Sequence, residues 1–157
     1  MLELFETRAA VVGAFAASEA LDALRPAGAH RCRVASDEAM FVGPPGAGEQ
    51  LLRDSAAVTA GDADAIVLDV ADGWAVWTLS GEEAPAAFAR LSRFPSDDGF
   101  VQGDVAGVPT RVIVERGRIH LLVPATSRDQ MRARILDRCP GISERSEPAS
   151  WGVGTHP

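Results

Sequence analysis

AIVLDVADGWAVWTLSGEEAPAAFARL, residues 65–91, decides the fold class. It opens on an aliphatic run, AIVLDV at 65–70, reaches Ala71-Asp72-Gly73, and returns through WAVWTLS at 74–80. Asp-Gly between two apolar runs is a hairpin signal, because both residue types accept the positive φ of a tight turn. Ser80-Gly81-Glu82-Glu83 has the S-x-x-E spacing of a capping box, in which hydroxyl and carboxylate each meet a free N–H at a helix start. Beyond it Ala84, Ala87, Phe88 and Leu91 recur at i, i+3, i+4 and i+7, one apolar stripe of a helix. Strand alternation puts Trp77 with Ala75 and Leu79 toward a core, and Trp74 with Val76 and Thr78 nearer the surface. The same alternation puts Asp69 opposite Ile66, Leu68 and Val70 and reads it as outward-facing.

Upstream of this unit, HRCRVA (30–35) and AMFV (39–42) predict two short strands turned at Ser36-Asp37-Glu38. GPPGAG (43–48) breaks the pattern, and Leu51, Leu52 and Ala56 mark a short helix over 48–57. Residues 4–24 predict a helix carrying Val11, Val12, Phe15, Leu21 and Leu24, stopped by Pro26. Downstream, FVQGDV (100–105) predicts a strand with Gly103 at a bulge. TRVIVE (110–115) and RIHLLV (118–123) flank Arg116-Gly117 as a hairpin. Ser127 and Gln130 form a second capping box, opening a helix with Met131, Ile135 and Leu136 inward and Arg132, Arg134 and Arg138 outward. The Gly-, Ser- and Pro-rich stretch 141–157 reads as a flexible tail.

The expected order is α, ββα, ββα, βββα, tail. Parallel winding would need a helix between every pair of strands, so the pattern predicts an α+β fold of antiparallel sheets with helices on one face and repeated ββα units. Its parts are an N-terminal helical segment (1–29), an α+β domain (30–140) and the tail (141–157).

Composition narrows the function classes. The 157 residues include no Lys, Tyr or Asn, so a Schiff-base lysine, a Walker lysine and a tyrosine acid are excluded. The formal net charge of −7 argues against a general nucleic-acid role. No apolar run reaches the length of a membrane span. MLELFETRAA lacks the basic and apolar regions of a signal peptide, and the expected compartment is the cytoplasm. Cys32 and Cys139 define no disulfide framework.

Each motif with chemical content has a plainer reading that fits better. GPPGAG lacks the G-K-[ST] ending of a phosphate loop, and Pro44 has no N–H to offer. Asp62, Asp64, Asp69 and Asp72 have neither the spacing nor the twelfth-position Glu of an EF-hand. His30 and Cys32 share a strand face at i, i+2, but no second pair completes a zinc site. His120 has no Ser or Asp partner motif, and no G-x-S-x-G elbow is present. Charge is segregated: residues 44–104 hold eleven acids and three Arg, net −8, whereas 105–138 hold seven Arg and three acids, net +4. A polarised surface of this kind can dock a partner.

VASDEAMFVGPPGAGEQLL (34–52), LDVADGWAVWTLSGEEAPAAFARL (68–91) and TRVIVERGRIHLLVPATSRDQMRARILD (110–137) together resemble the gamma subunit family of heterotetrameric sarcosine oxidase. That family is a small relative of the glycine-cleavage aminomethyltransferase (T-protein) fold. Its DEW-hydrophobic-GPPG strand end, DVS strand, L-S-G-x-x-A helix start and hydrophobic-LVP strand correspond here to DEAMFVGPPG, DVAD, LSGEEA and LLVPATS. Ala39 stands where a Trp is common. GDVAGVPTR (103–111) lacks the Gly-Gly-hydrophobic-x-Asp-Asp stretch of folate-using members, and Asp104 does not replace it.

The resemblance implies a non-catalytic small subunit with a structural and assembly role beside larger alpha and beta subunits. It implies no catalytic, cofactor-binding or metal-binding residue in this chain, with flavin, NAD and folate carried only by the partners. The expected contact is the outer face of the last helix, at Arg128, Arg132 and Arg138; Arg128 and Arg132 are four apart and can reach one acidic patch. The alternatives are a free-standing folate-dependent one-carbon transfer enzyme and a stand-alone adaptor.

Overall fold

A computed structural model describes residues 1–115 and 117–152. Arg116 of the expected hairpin turn and residues 153–157 of the expected tail lie outside the described residues.

Two strands occupy Glu3–Arg8 and Ala10–Phe15, which corrects the helix expected over 4–24. These are β1 and β2; only α1, Ser18–Ala23, is helical there. The misreading has a physical cause. β2 is an inner strand, buried from Ala10 to Ala14, so it has no polar-apolar alternation to reveal it. A short continuous apolar run is ambiguous between strand and helix, and here the β-branched pair Val11-Val12 beside Gly13 favours extension.

Two compact units follow from the contacts among the described residues: Met1–Thr7 with Asp72–Ala149, and Arg8–Ala71 with Ser150–Gly152. The second unit runs β2, α1, β3 (His30–Ala35), β4 (Glu38–Gly43), α2 (Gly48–Thr59) and β5 (Ile66–Asp69). Its sheet has the order β3-β4-β2-β5, antiparallel throughout, the split βαββαβ arrangement. Ala10, Val12, Ala14, Ala39 and Phe41 of the sheet pack against Leu21, Leu24 and Leu51 of the helical side. The GPPGAG stretch is the turn into α2, with a 3-10 turn at Pro45–Ala47.

The first unit runs β1, β6 (Trp74–Ser80), α3 (Ala84–Leu91), β7 (Gly99–Val105), β8 (Val108–Glu115), β9 (Arg118–Pro124), α4 (Arg128–Arg138) and β10 (Ser143–Glu144). Its sheet order is β10-β1-β6-β9-β8-β7, with β11 (Ala149–Ser150) also paired to β1. β1 runs parallel to β10, and the pairings β1–β6, β6–β9, β9–β8 and β8–β7 are antiparallel. The expected stripe Ala84, Ala87, Phe88 and Leu91 is buried, as are Met131 and Ile135 of α4, against Trp77, Leu79, Ile119 and Leu121.

The α+β class with antiparallel sheets and four helices stands, but the repeat is in a different phase. In each unit a strand (β2 or β6) precedes a helix, and a hairpin (β3–β4 or β8–β9) precedes the next helix. The hairpin's second strand pairs back onto the first strand. The repeat is therefore strand–helix–hairpin–helix. The expected β5–β6 hairpin does not form: Ala71–Gly73 is a 3-10 turn, β5 closes one sheet and β6 lies in the other.

Three local expectations also change. Neither capping box closes: α3 starts at Ala84 with Ser80 still in β6, α4 starts at Arg128, and neither N-cap has a side-chain hydrogen bond. Gly103 is no bulge, since β7 pairs with β8 in unbroken register. It is required because any Cβ there would strike the Phe94 ring, and its φ of 156° sits at the limit of the left-handed range. The segment 141–152 is not loose: Ser143 and Arg145 N–H donate to Leu2 and Leu4 carbonyls at 3.0 and 2.9 Å, and Trp151 N–H donates to Arg8 at 2.9 Å. An open strand edge draws these short pieces through backbone groups, which leaves no side-chain periodicity to read. No helix among the described residues is long and apolar enough to cross a membrane.

Candidate functional site

The expected contact residues lie on α4. Its apolar side seats Met131 and Ile135 in the first unit's core, which turns Arg128 and Arg132 out beside one another. Both are already engaged. Arg128 donates from Nε to Glu6 Oε1 at 2.8 Å and from Nη2 to Glu6 Oε2 at 2.7 Å. Arg132 donates from Nε and Nη2 to the two Glu144 oxygens at 2.5 and 2.6 Å. Such forked, charge-assisted pairs hold a guanidinium in a set plane. Each carboxylate stabilises the protonated guanidinium it holds, and the hydrogen bonds from Arg132 draw the Glu144 carboxyl below its ordinary range.

These residues line a pocket of about 290 Å³ with Trp77, Asp129 and Arg145. Trp77 Nε1 donates to the Arg128 carbonyl at 3.0 Å, and the Arg145 guanidinium stands 5.1 Å from the centre of the Phe5 ring. The pocket is thus lined by three Arg and three acids.

Arg138 is brought elsewhere. It lines a concavity of about 510 Å³ with Arg90, Arg93, Asp104 and Phe94. Asp104 Oδ1 accepts the Gly107 N–H at 3.0 Å, which turns that carboxylate into its own loop. The structure therefore splits the three expected arginines between a charge-balanced pocket and an arginine-rich one.

A third concavity, about 320 Å³, is lined by Trp74, Gln102, Pro109, Thr110, Arg111 and Pro124. The Arg111 guanidinium lies 4.4 Å above the Trp74 ring, a cation–π stack. Trp77 is 4% exposed within the core and Trp74 is half-buried at this concavity, but the face expected nearer the surface is not open: Val76 and Thr78 on it are buried, and Trp74 is half-open because it stands at the end of β6.

His120 has partners that its sequence neighbours did not reveal. Thr7 Oγ1 and Thr78 Oγ1 are 2.5 Å apart, Thr78 Oγ1 lies 2.8 Å from His120 Nδ1, and His120 Nε2 lies 3.2 Å from Glu115 Oε1. Hydroxyl, imidazole and carboxylate in that order can move a proton in an open site. Thr78 and His120 are 0% and 2% exposed, so no substrate atom can reach the hydroxyl, and the chain of bonds serves to satisfy buried polar groups. Register carries it: Thr78 pairs with His120 across β6 and β9.

The remaining motif residues are structural. His30 meets Trp151 edge-on at 5.6 Å, and Cys32 and Cys139 are buried and neither is in a disulfide. Burial raises the Cys139 thiol. Asp62 accepts N–H bonds from Ala17 and Asp64, which lower its carboxyl. Asp69 closes its own turn by accepting the Ala71 N–H at 3.0 Å. It is exposed as expected, but the inversion lies opposite it: Ile66 and Leu68 are exposed too, while Val67 packs on the helical side. Among the described residues no three His, Cys, Asp or Glu side chains form a metal-sized group.

No protein-family model matches the chain, and no curated protein matches it in sequence. Solved structures share its fold. A chain of the heterotetrameric sarcosine oxidase from Corynebacterium sp. U-96, in complex with pyrrole 2-carboxylate, superposes with a TM-score of 0.69 at 17% identity, over 87% of this chain and 83% of that one. The glycine cleavage system aminomethyltransferase T from Bartonella henselae superposes with a TM-score of 0.64 at 13% identity, over 95% of this chain. This chain spans about half of that enzyme, 48% of its length. The regulatory subunit of aspartate kinase from Thermus thermophilus gives 0.48 at 15% identity, over 88% of this chain and 96% of that one.

Proposed function

We propose that the chain is the non-catalytic small subunit of a sarcosine-oxidase-like amine oxidase, with a structural and assembly role. The observation that supports this reading most is the superposition on the oxidase chain, with a TM-score of 0.69 over 87% of this chain and 83% of that one. In this reading flavin, NAD and folate belong to the larger alpha and beta partners. Arg138, in its arginine-rich concavity, is the α4 side chain placed to meet partner acids, with Arg128 and Arg132 bracing the helix through Glu6 and Glu144.

Affinity-tagged chain purified under native conditions tests this. The expected result is co-elution with two larger polypeptides, a flavin spectrum in the complex, and sarcosine oxidation by the complex but not by the separated chain. Stoichiometric flavin in the separated chain would overturn it. The folate-enzyme alternative has one observation in its favour, the Trp74–Arg111 concavity, and it predicts that reduced folate quenches tryptophan fluorescence in wild type but not in Arg111→Ala.

A further inference from the structure

β5 is the outer strand of the second unit's sheet: β2 takes one edge, and no described strand takes the other. An unpaired strand edge presents N–H and C=O groups to an incoming chain. The side chains provide a second, independent sign. Ile66 and Leu68 are 52% and 50% exposed, and Phe15, directly opposite Ile66 on β2, is 40% exposed. All three face away from α1 and α2, because Val67 between them packs on the helical side. Contiguous apolar exposure of this kind marks an interaction surface.

The edge is also held extended in advance. Asp62 ties Ala17 and Asp64 at one end of β5, at 2.8 and 3.0 Å, and Asp69 ties Ala71 at the other. Preorganisation lowers the ordering cost of association.

Charge selects the occupant. Residues 54–72 contain Asp54, Asp62, Asp64, Asp69 and Asp72 and no basic residue. A second copy docked β5 to β5 would set these carboxylates against like charges, which is unfavourable across paired strands. An extended segment with apolar side chains at alternate positions and Arg or Lys beside them meets the same edge with opposite charge. We propose that β5 receives such a basic–apolar strand from a partner polypeptide, as a fifth strand on the four-stranded sheet. The proposal rests on the subunit reading above.

The test compares tagged wild type with Ile66→Glu/Leu68→Glu in native purification. Both side chains point outward, so an unchanged urea midpoint verifies the fold; Ile66→Thr/Leu68→Thr replaces the pair if the Glu variant does not fold. The expected result is loss of the partners, with affinity down at least about tenfold, salt-weakened binding of wild type, and β5 amides protected from hydrogen exchange only in the complex. Equal recovery of partners by the variant overturns the docking surface while leaving the subunit reading standing. Wild-type dimers that the variant abolishes overturn the choice of occupant. If wild type recovers no partner, the subunit reading falls, and the synthetic peptide Arg-Val-Thr-Val-Thr-Val-Arg becomes the probe. Binding to wild type and not to the variant then supports the edge as a strand acceptor; no binding overturns it.

Discussion

The first unit and the second share a strand–helix–hairpin–helix path, the first with β7 added ahead of its hairpin, and fill it with different side chains. Behind α3 and α4 lie Trp77, Phe88, Leu121, Met131 and Ile135; behind α1 and α2 the sheet contributes Ala10, Ala14 and Ala39 with Val12 and Phe41. Apolar burial stabilises by about 25 cal/mol per Å², so an alanine-lined core gains less for the same topology. The second unit also keeps two buried polar atoms without a partner among the described residues, Arg33 Nη1 and Ser55 Oγ. It leaves Ile66 and Leu68 in solvent as well. One path thus serves a well-filled unit and a thinner one whose edge is open to a partner.

The largest test truncates the central ring of each core. Phe88→Ala and Phe41→Ala should each cost ~3–5 kcal/mol, since both rings are 0% exposed. Hydrogen exchange should report the loss first in the altered unit; a uniform rise across both would show one cooperative block and break the comparison. Next come the tryptophans of β6. Trp77→Ala should cost about 3 kcal/mol or more, and Trp74→Ala about 1 kcal/mol, since it loses mainly the Arg111 stack. A reversed order in urea melts would overturn their assignment.

Thr78→Val keeps the shape and removes the hydroxyl between Thr7 and His120. It should cost about 1–3 kcal/mol, because two buried polar groups lose their shared partner. Ser55→Ala should act in the other direction. It deletes an unsatisfied buried hydroxyl within α2 and improves helix propensity, so the melting midpoint should rise by roughly 1 kcal/mol equivalent. A fall would mean that the second unit is better settled than its core implies.

Acid gives the smallest effect. Glu144 in the first unit and Asp62 in the second both have lowered carboxyl pKa values, from Arg132 and from the Ala17 and Asp64 N–H groups respectively. A depressed folded-state value contributes stability above the unfolded value, and that contribution fades as pH falls through the folded one. Glu144→Gln and Asp62→Asn should therefore each flatten the loss of stability below the ordinary carboxylate range, most visibly in local exchange at β10 and at the start of α1. Unchanged acid profiles would remove these pairs from the account.

Legibility followed distance along the chain. The α3 stripe, the β3–β4 hairpin and the inward face of α4 depend on residues within a turn or two of one another, and each was readable. The first capping box was local too, but sheet pairing overrode it: Ser80 stays in β6 and α3 starts at Ala84. The site was less readable. Arg128 finds Glu6 across 122 positions, and Thr78 finds His120 across 42. Neither pairing leaves a periodic trace.

What the sequence by itself determined was the α+β class, most of the strands and helices beyond residue 30, and the apolar sides of α3 and α4. These follow from side-chain spacing acting on a backbone with periods of 2 and 3.6 residues. Only the tertiary structure decided that residues 3–8 and 10–15 are strands, that β5 and β6 separate into two sheets, that 141–152 binds along β1, and that Ile66 and Leu68 face water. Each of those outcomes depends on which distant backbone edge or apolar face a segment meets, and a segment's own residues carry no record of its partner.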